Sequence, residues 1–97
     1  MQLLVRNRVR DFATWRRYFD EGNALGARFG VSLASMRQAT DDPNNVFFLL
    51  DIESVEKTEA FMATPESHEL GEKSGVLDGE AYYLNAVPTG DQSAGTD

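Results

Sequence analysis

The chain contains one histidine, His68, within Pro65-Glu66-Ser67-His68-Glu69. Histidine is the side-chain type that ordinarily titrates near neutrality, so proton transfer at pH 7 by an unshifted group would fall to it. On a helix Glu72 stands four residues on, which predicts either an oriented base or a plain surface pair. Asn7 is the second candidate for a catalytic role. It shares one side of an alternating segment with Leu3, Val5 and Val9, and an amide among apolar neighbours needs partners or loses about 1–3 kcal/mol. A structural hydrogen bond and a ligand-orienting role both answer that need. Trp15, Phe48, Phe61 and Tyr83 are the candidate substrate-binding walls. Aromatics at this spacing also read as core, but as a cleft they suit a planar or hydrophobic small molecule. Arg6 and Arg8 face the other way, and Asp51 and Glu53 are the acids expected to pair with them. Asp41, Asp42, Asn44 and Asn45 offer hard oxygen ligands without EF-hand spacing, so a turn is expected and no metal site. Walker, GxGxxG and GxSxG patterns and a His pair at metal spacing are all missing from the sequence, and no cofactor is expected.

Composition narrows the classes further. Ninety-seven residues, 41% of them hydrophobic, fit one globular domain. A net charge of −7 repels phosphate backbones and anionic lipid, so neither nucleic acid nor membrane is an expected partner. The charge is uneven: residues 1–40 hold seven bases and three acids, whereas 41–97 hold two bases and thirteen acids. Within one domain this predicts internal or subunit complementarity. The absence of cysteine removes disulfides, thiolate metal sites and cysteine nucleophiles, and a cytoplasmic location is expected. No apolar run approaches the roughly 20 residues of a membrane span.

The elements that must position these residues follow from periodicity. Residues 3–9 alternate as a strand, and Asp11 caps a helix carrying Phe12, Trp15 and Phe19 and closing at Gly30. Gly22 and Gly26 on that helix either permit close approach to a sheet, the preferred reading, or mark a break. Residues 31–40 read as a strand with Val31 and Leu33 on one face and Ala34 and Met36 on the other. Residues 41–45 read as a turn, and 45–53 as a strand apolar on both faces: Val46, Phe48, Leu50 and Ile52 against Phe47 and Leu49. Ser54 caps one helix, and Thr64, followed by Pro65, caps a second that ends at Gly75. Asp78-Gly79 reads as a turn and 81–87 as the last strand. The order βαββαβ predicts an α+β, ferredoxin-like domain over residues 1–87. Its four-stranded antiparallel sheet would have the first and third strands central and helices on one face. Residues 88–97 read as a disordered tail. Helices on one face leave the other apolar face uncovered, which predicts a homodimer through the sheet face.

The short Arg-Asn-Arg-Val strand runs into Asp-Phe-x-x-Trp, then Phe19-Asp20, Gly30-Val31, Asp42-Pro43-Asn44, Ala60-Phe61 ahead of a Pro break, and Gly75-Val76. This combination over about residues 2–87 resembles the dimeric α+β barrel superfamily, within it the small antibiotic biosynthesis monooxygenase-like and cyclase-like proteins. The resemblance implies face-to-face pairing of two sheets. It also implies a cofactor-independent monooxygenase or cyclase-like enzyme acting on a hydrophobic or phenolic molecule, with a non-catalytic ligand-binding or interaction module as the alternative. The superfamily's haem-degrading branch uses an Asn on the first strand, a Trp and a His ligand. Here Asn7 matches, Phe61 holds the Trp place, and Gly71 falls near the place of the His.

Overall fold

The computed structural model describes residues 1–88; the expected tail falls, from residue 89 onward, outside the described residues. Strand β1 (Gln2–Val9) leads into helix α1 (Phe12–Gly26) and a 3₁₀ turn (Ala27–Phe29). Strands β2 (Val31–Ala39) and β3 (Asp42–Ile52) follow, then helices α2 (Val55–Met62) and α3 (Pro65–Ser74) and strand β4 (Val76–Leu84). All pairings are antiparallel and the sheet order is β2-β3-β1-β4, the expected ferredoxin-like order with β1 and β3 central. Among the described residues no helix is long and apolar enough to cross a membrane.

Local chemistry sets each helix. The Asp11 carboxylate accepts from the Thr14 amide at 2.9 Å, capping α1, and Asn44 Oδ1 of β3 accepts from the Phe12 amide at 2.9 Å, tying the start of α1 to the sheet. The Ser54 hydroxyl accepts from the Lys57 amide and the Thr64 hydroxyl from the Ser67 amide, so the second helical segment breaks where its two capping signals stand. Gly30 and Gly75 close their helical segments in the left-handed region, at φ 74° and 80°, immediately before β2 and β4.

The core lies between the helices and one sheet face. It gathers Leu3, Val9, Trp15, Val31, Val46, Phe48, Leu50 and Ile52, with Val46 fully buried. Trp15 stacks on Phe19 with ring centroids 4.9 Å apart and meets Phe48 at 5.6 Å, while Phe19 meets Phe48 edge-on at 5.0 Å.

Several expectations are corrected. A bulge in β2 leaves Ala34 as the extra residue between Leu33, opposite Leu50, and Ser35, opposite Leu49. Met36 therefore returns to the face of Val31 and Leu33 and packs on the core, instead of sharing a face with Ala34. The β2–β3 turn is Thr40-Asp41 alone, and β3 already begins at Asp42. Asp78-Gly79 is no turn: β4 runs through it, because Asp78 and Gly79 stand opposite Arg8 and Asn7 of β1. A register shift at Arg8/Val9 absorbs Leu77. Of the two helix glycines, Gly26 ends α1 and does approach the sheet, at Val31 of β2, as well as the Phe61 ring, whereas Gly22 faces Leu70 of α3 and not the sheet.

The outer face also departs from the expected pairing. Arg6 donates to Asn45 Oδ1 at 2.8 Å, to Asp78 Oδ1 at 3.3 Å and to Glu80. Arg8 donates twice to Asp78 Oδ2, at 3.0 and 2.5 Å. Asp51 and Glu53 are not their partners: Asp51 lies across from Gln2 and accepts from the Gln2 side-chain Nε2 at 3.0 Å, and Glu53 pairs with Lys57. The basic first segment and the acidic last one thus meet along the β1–β4 seam, inside one chain.

Hydrogen bonds from Arg8, then from Arg6, hold the Asp78 carboxyl below the usual carboxylate range. A carboxyl depressed by folding stabilises the native state above its unfolded value and loses that contribution as pH falls through its folded value. We expect the urea midpoint of the wild type to exceed that of Asp78→Asn at pH 5. The gap should close as the pH drops below about 4; a gap independent of pH would show that the pairing does not contribute.

Candidate functional site

Between α1, α3 and the β1 side of the sheet lies a cavity of about 280 Å³. From the sheet Val5, Asn7 and Ala81 reach it, from α1 Trp15 and Phe19, and from α3 Ser67, Leu70, Gly71 and Ser74. Phe48 and Phe61 complete the aromatic part of the wall. Of the site residues expected from sequence, Asn7, Trp15, Phe48 and Phe61 therefore come together. Trp15 serves both readings weighed for it, being 2% exposed in the core and presenting part of its surface to the cavity.

Two residues are placed elsewhere. His68 is exposed and absent from the cavity wall, because the inward stripe of α3 runs through its neighbours Ser67, Leu70, Gly71 and Ser74. The Glu72 pair does not form either; on this helix the i,i+4 pair is Glu69–Lys73, at 3.1 Å. Tyr83 sits opposite Leu3 on the helix-facing side of β4 but beyond the cavity, with its hydroxyl 3.5 Å from Glu59 Oε2. Burial first, and Glu59 second, push its phenol above the ordinary tyrosine range.

The α3 stripe escaped the sequence reading because it is polar and small. One signal marks it: Leu70 is the sole large apolar residue in PESHELGEKS. Anchoring the helix there puts Ser67, Gly71 and Ser74 on the same face at i−3, i+1 and i+4.

Besides Asn23 of α1, the wall carries a second side-chain amide, that of Asn7 on β1. The Asn7 side chain has no hydrogen-bond partner among the described residues, so the structural bond considered for it is not found there. Its Oδ1 lies over Gly79 on the neighbouring strand, where a Cβ would collide with that oxygen and with the Arg6 carbonyl. The missing side chain of Gly79 thus gives the amide its place. Around it the cavity wall carries no Asp, Glu, Lys or Arg side chain among the described residues. In such surroundings a neutral donor–acceptor acts strongly on a bound polar atom, because little water competes.

The donor set does not fit haem. Of the three residue types that the haem branch uses, only the Asn is on the cavity wall: Phe61 stands there in the place of the Trp, Gly71 near the place of the His without a ligand atom, and His68 is exposed and off the wall. Among the described residues no three His, Cys, Asp or Glu side chains gather as a metal site.

No protein-family model and no curated protein matches the sequence. Solved structures do match. One is named an antibiotic biosynthesis monooxygenase, with a TM-score of 0.72 at 13% identity over 90% of this chain and 98% of that one. SnoaB from Streptomyces nogalater, described as a cofactor-independent oxygenase, aligns with a TM-score of 0.70 at 13% identity, covering 90% and 94% of the two chains. The fold is that of the antibiotic biosynthesis monooxygenase-like proteins. An uncharacterized NIPSNAP domain protein from Burkholderia xenovorans has it too, with a TM-score of 0.68 at 15% identity over 91% and 96%. At these identities the likeness carries the monooxygenase-like fold alone, and the chemistry must be argued from the site.

Proposed function

We propose that this monooxygenase-like domain binds a hydrophobic, ring-bearing molecule of phenolic or polyketide type in its cleft and oxygenates or cyclises it. The observation that carries the reading is the apolar, aromatic cavity with two side-chain amides on its wall, Asn7 from the sheet and Asn23 from α1, neither with a hydrogen-bond partner among the described residues. Asn7 orients the substrate oxygen, Trp15, Phe48 and Phe61 hold the ring, and exclusion of water supports charge that develops on that oxygen. In the oxygenase form one atom of O₂ enters a ring methylene as a carbonyl and the other leaves as water, the electrons coming from the substrate's two C–H bonds. SnoaB, whose fold is similar, is described as a cofactor-independent oxygenase, which supports the oxygenase form. The domain works as a homodimer whose outer sheet faces are joined, since Leu4, Phe47, Leu49 and Tyr82 form an apolar band on that face, with Leu4 37% and Tyr82 56% exposed.

The placement of His68 favours one second reading. Without it, no histidine reaches the cavity to move a proton, which suits a carrier that binds the same ligand and leaves it unchanged. Oxygen uptake separates the two. A panel of one- to four-ring phenols is expected to quench Trp15 fluorescence and raise the unfolding temperature, and at least one of those whose keto tautomer holds a ring methylene should consume oxygen. In Asn7→Ala, binding should weaken by no more than about tenfold, whereas turnover should fall by roughly a hundredfold, as when a transition-state donor is lost. Binding without turnover would establish the carrier; no binding by any phenol would overturn the cleft as a ligand site.

A further inference from the structure

The interior of α3 holds a glycine that neither its backbone nor its packing requires. Gly71 is helical, and a Cβ built on it meets nothing within 4 Å. Gly22 of α1 is similar, its Cβ position meeting only Leu70 Cδ1 at an ordinary 3.7 Å. Gly26 is the contrast, with the Phe61 ring 3.3 Å from its Cβ position. Glycine weakens a helix wherever nothing compensates, and a local rule broken without a structural return marks a functional position. Gly22 and Gly71, the two helix glycines free of such demands, both line the cavity.

Geometry says what the space serves. Ser67, Leu70, Gly71 and Ser74 form the cavity side of α3, with Gly71 exposed in the free protein at the open side of the cleft. A volume of about 280 Å³, filled at an interior packing density of about 0.74, accommodates a molecule of two or three fused rings. The wall offers amide and hydroxyl groups and, among the described residues, no charged side chain to meet an ionised ligand.

We propose that Gly71 is a specificity-determining residue: its missing side chain reserves the α3 side of the cavity for the second ring of an uncharged ligand. The inference rests on the cleft being a ligand site, and it identifies which molecules that site accepts. A leucine at this position takes about one ring's worth of the space while favouring the helix.

The test uses the full chain, with Trp15, its single tryptophan, as the fluorescent reporter and phenol, 2-naphthol and 2-naphthoate as probes. Wild type should bind 2-naphthol more tightly than phenol, and more tightly than 2-naphthoate by about tenfold. In Gly71→Leu the unfolding temperature of the free protein should rise by several degrees. The same variant should lose about tenfold in 2-naphthol affinity while phenol stays within about twofold. Gly71→Ala should also be more stable than wild type and should show an intermediate loss for 2-naphthol. Equal binding of 2-naphthol by wild type and Gly71→Leu overturns the role of Gly71 and leaves the ligand site standing. A fall in unfolding temperature in both variants overturns it as well, by showing that the fold needs the glycine. Binding of 2-naphthoate as tight as that of 2-naphthol overturns the preference for an uncharged ligand. No quenching of wild-type Trp15 by any of the three overturns this inference and the ligand-site reading together.

Discussion

Replacing Trp15 with alanine should lower stability by about 3–5 kcal/mol, the usual cost of removing a large aromatic from a packed core. Against a total of roughly 5–15 kcal/mol for a small domain this is a large fraction, and the unfolding temperature should fall on the order of 20 °C. The size follows from position. The indole is 2% exposed, stacked on Phe19 and tilted against Phe12 and Phe48, so it joins the start of α1 to the middle of β3. Its removal leaves Phe19 and Phe48 facing a void that merges with the existing cavity. Urea unfolding followed by circular dichroism measures the loss. Trp15→Phe, which keeps a ring in place, should cost well under half as much. If Trp15→Ala cost less than about 1 kcal/mol, the aromatic cluster would not be the core of the domain.

An aspartate at Leu49 should divide the proposed homodimer. Leu49 lies at the middle of the outer face, opposite Leu4 on β1 and Ser35 on β2. In a separate chain that face is wet and a carboxylate there is well hydrated. In a face-to-face pair the same carboxylate is desolvated against its symmetry mate, which costs about 3 kcal/mol or more and weakens association by roughly a hundredfold. Light scattering on a sizing column should report twice the chain mass for wild type and a single chain for Leu49→Asp at micromolar concentration, with helix content retained. A wild type that already runs as a single chain would reject the sheet-to-sheet assembly.

The apolar pattern of β3 made the fold legible: Val46, Phe48, Leu50 and Ile52 form the face that the helices cover, which marks a central strand, and Phe47 and Leu49 lie on the other face. The caps were legible too: Asp11, Ser54 and Thr64 carry oxygens that can satisfy free amides only at a helix start. What escaped depends on partners distant in sequence. The turn chemistry of Asp78-Gly79 yields to the ladder because Arg8 and Asn7 wait on the neighbouring strand. The face of Met36 depends on a single unpaired residue, Ala34, which no alternation rule reveals. Within the site, the strand and aromatic members Asn7, Trp15, Phe48 and Phe61 were readable from periodicity. The α3 members were not, since that helix takes its orientation from Leu70 resting near Gly22, and His68 drew attention by chemistry alone.

The bulge at Ala34 has a further effect, on colloidal behaviour. Strand β2 is the outermost on its side of the sheet, and an even row of free amides and carbonyls there would template the strand of another molecule. Two interruptions of its pairing, at Leu33/Ser35 and Gln38/Ala39, spoil the evenness of that row. The irregularity that turns Met36 inward thereby also guards the open margin of the sheet against runaway fibril-like stacking.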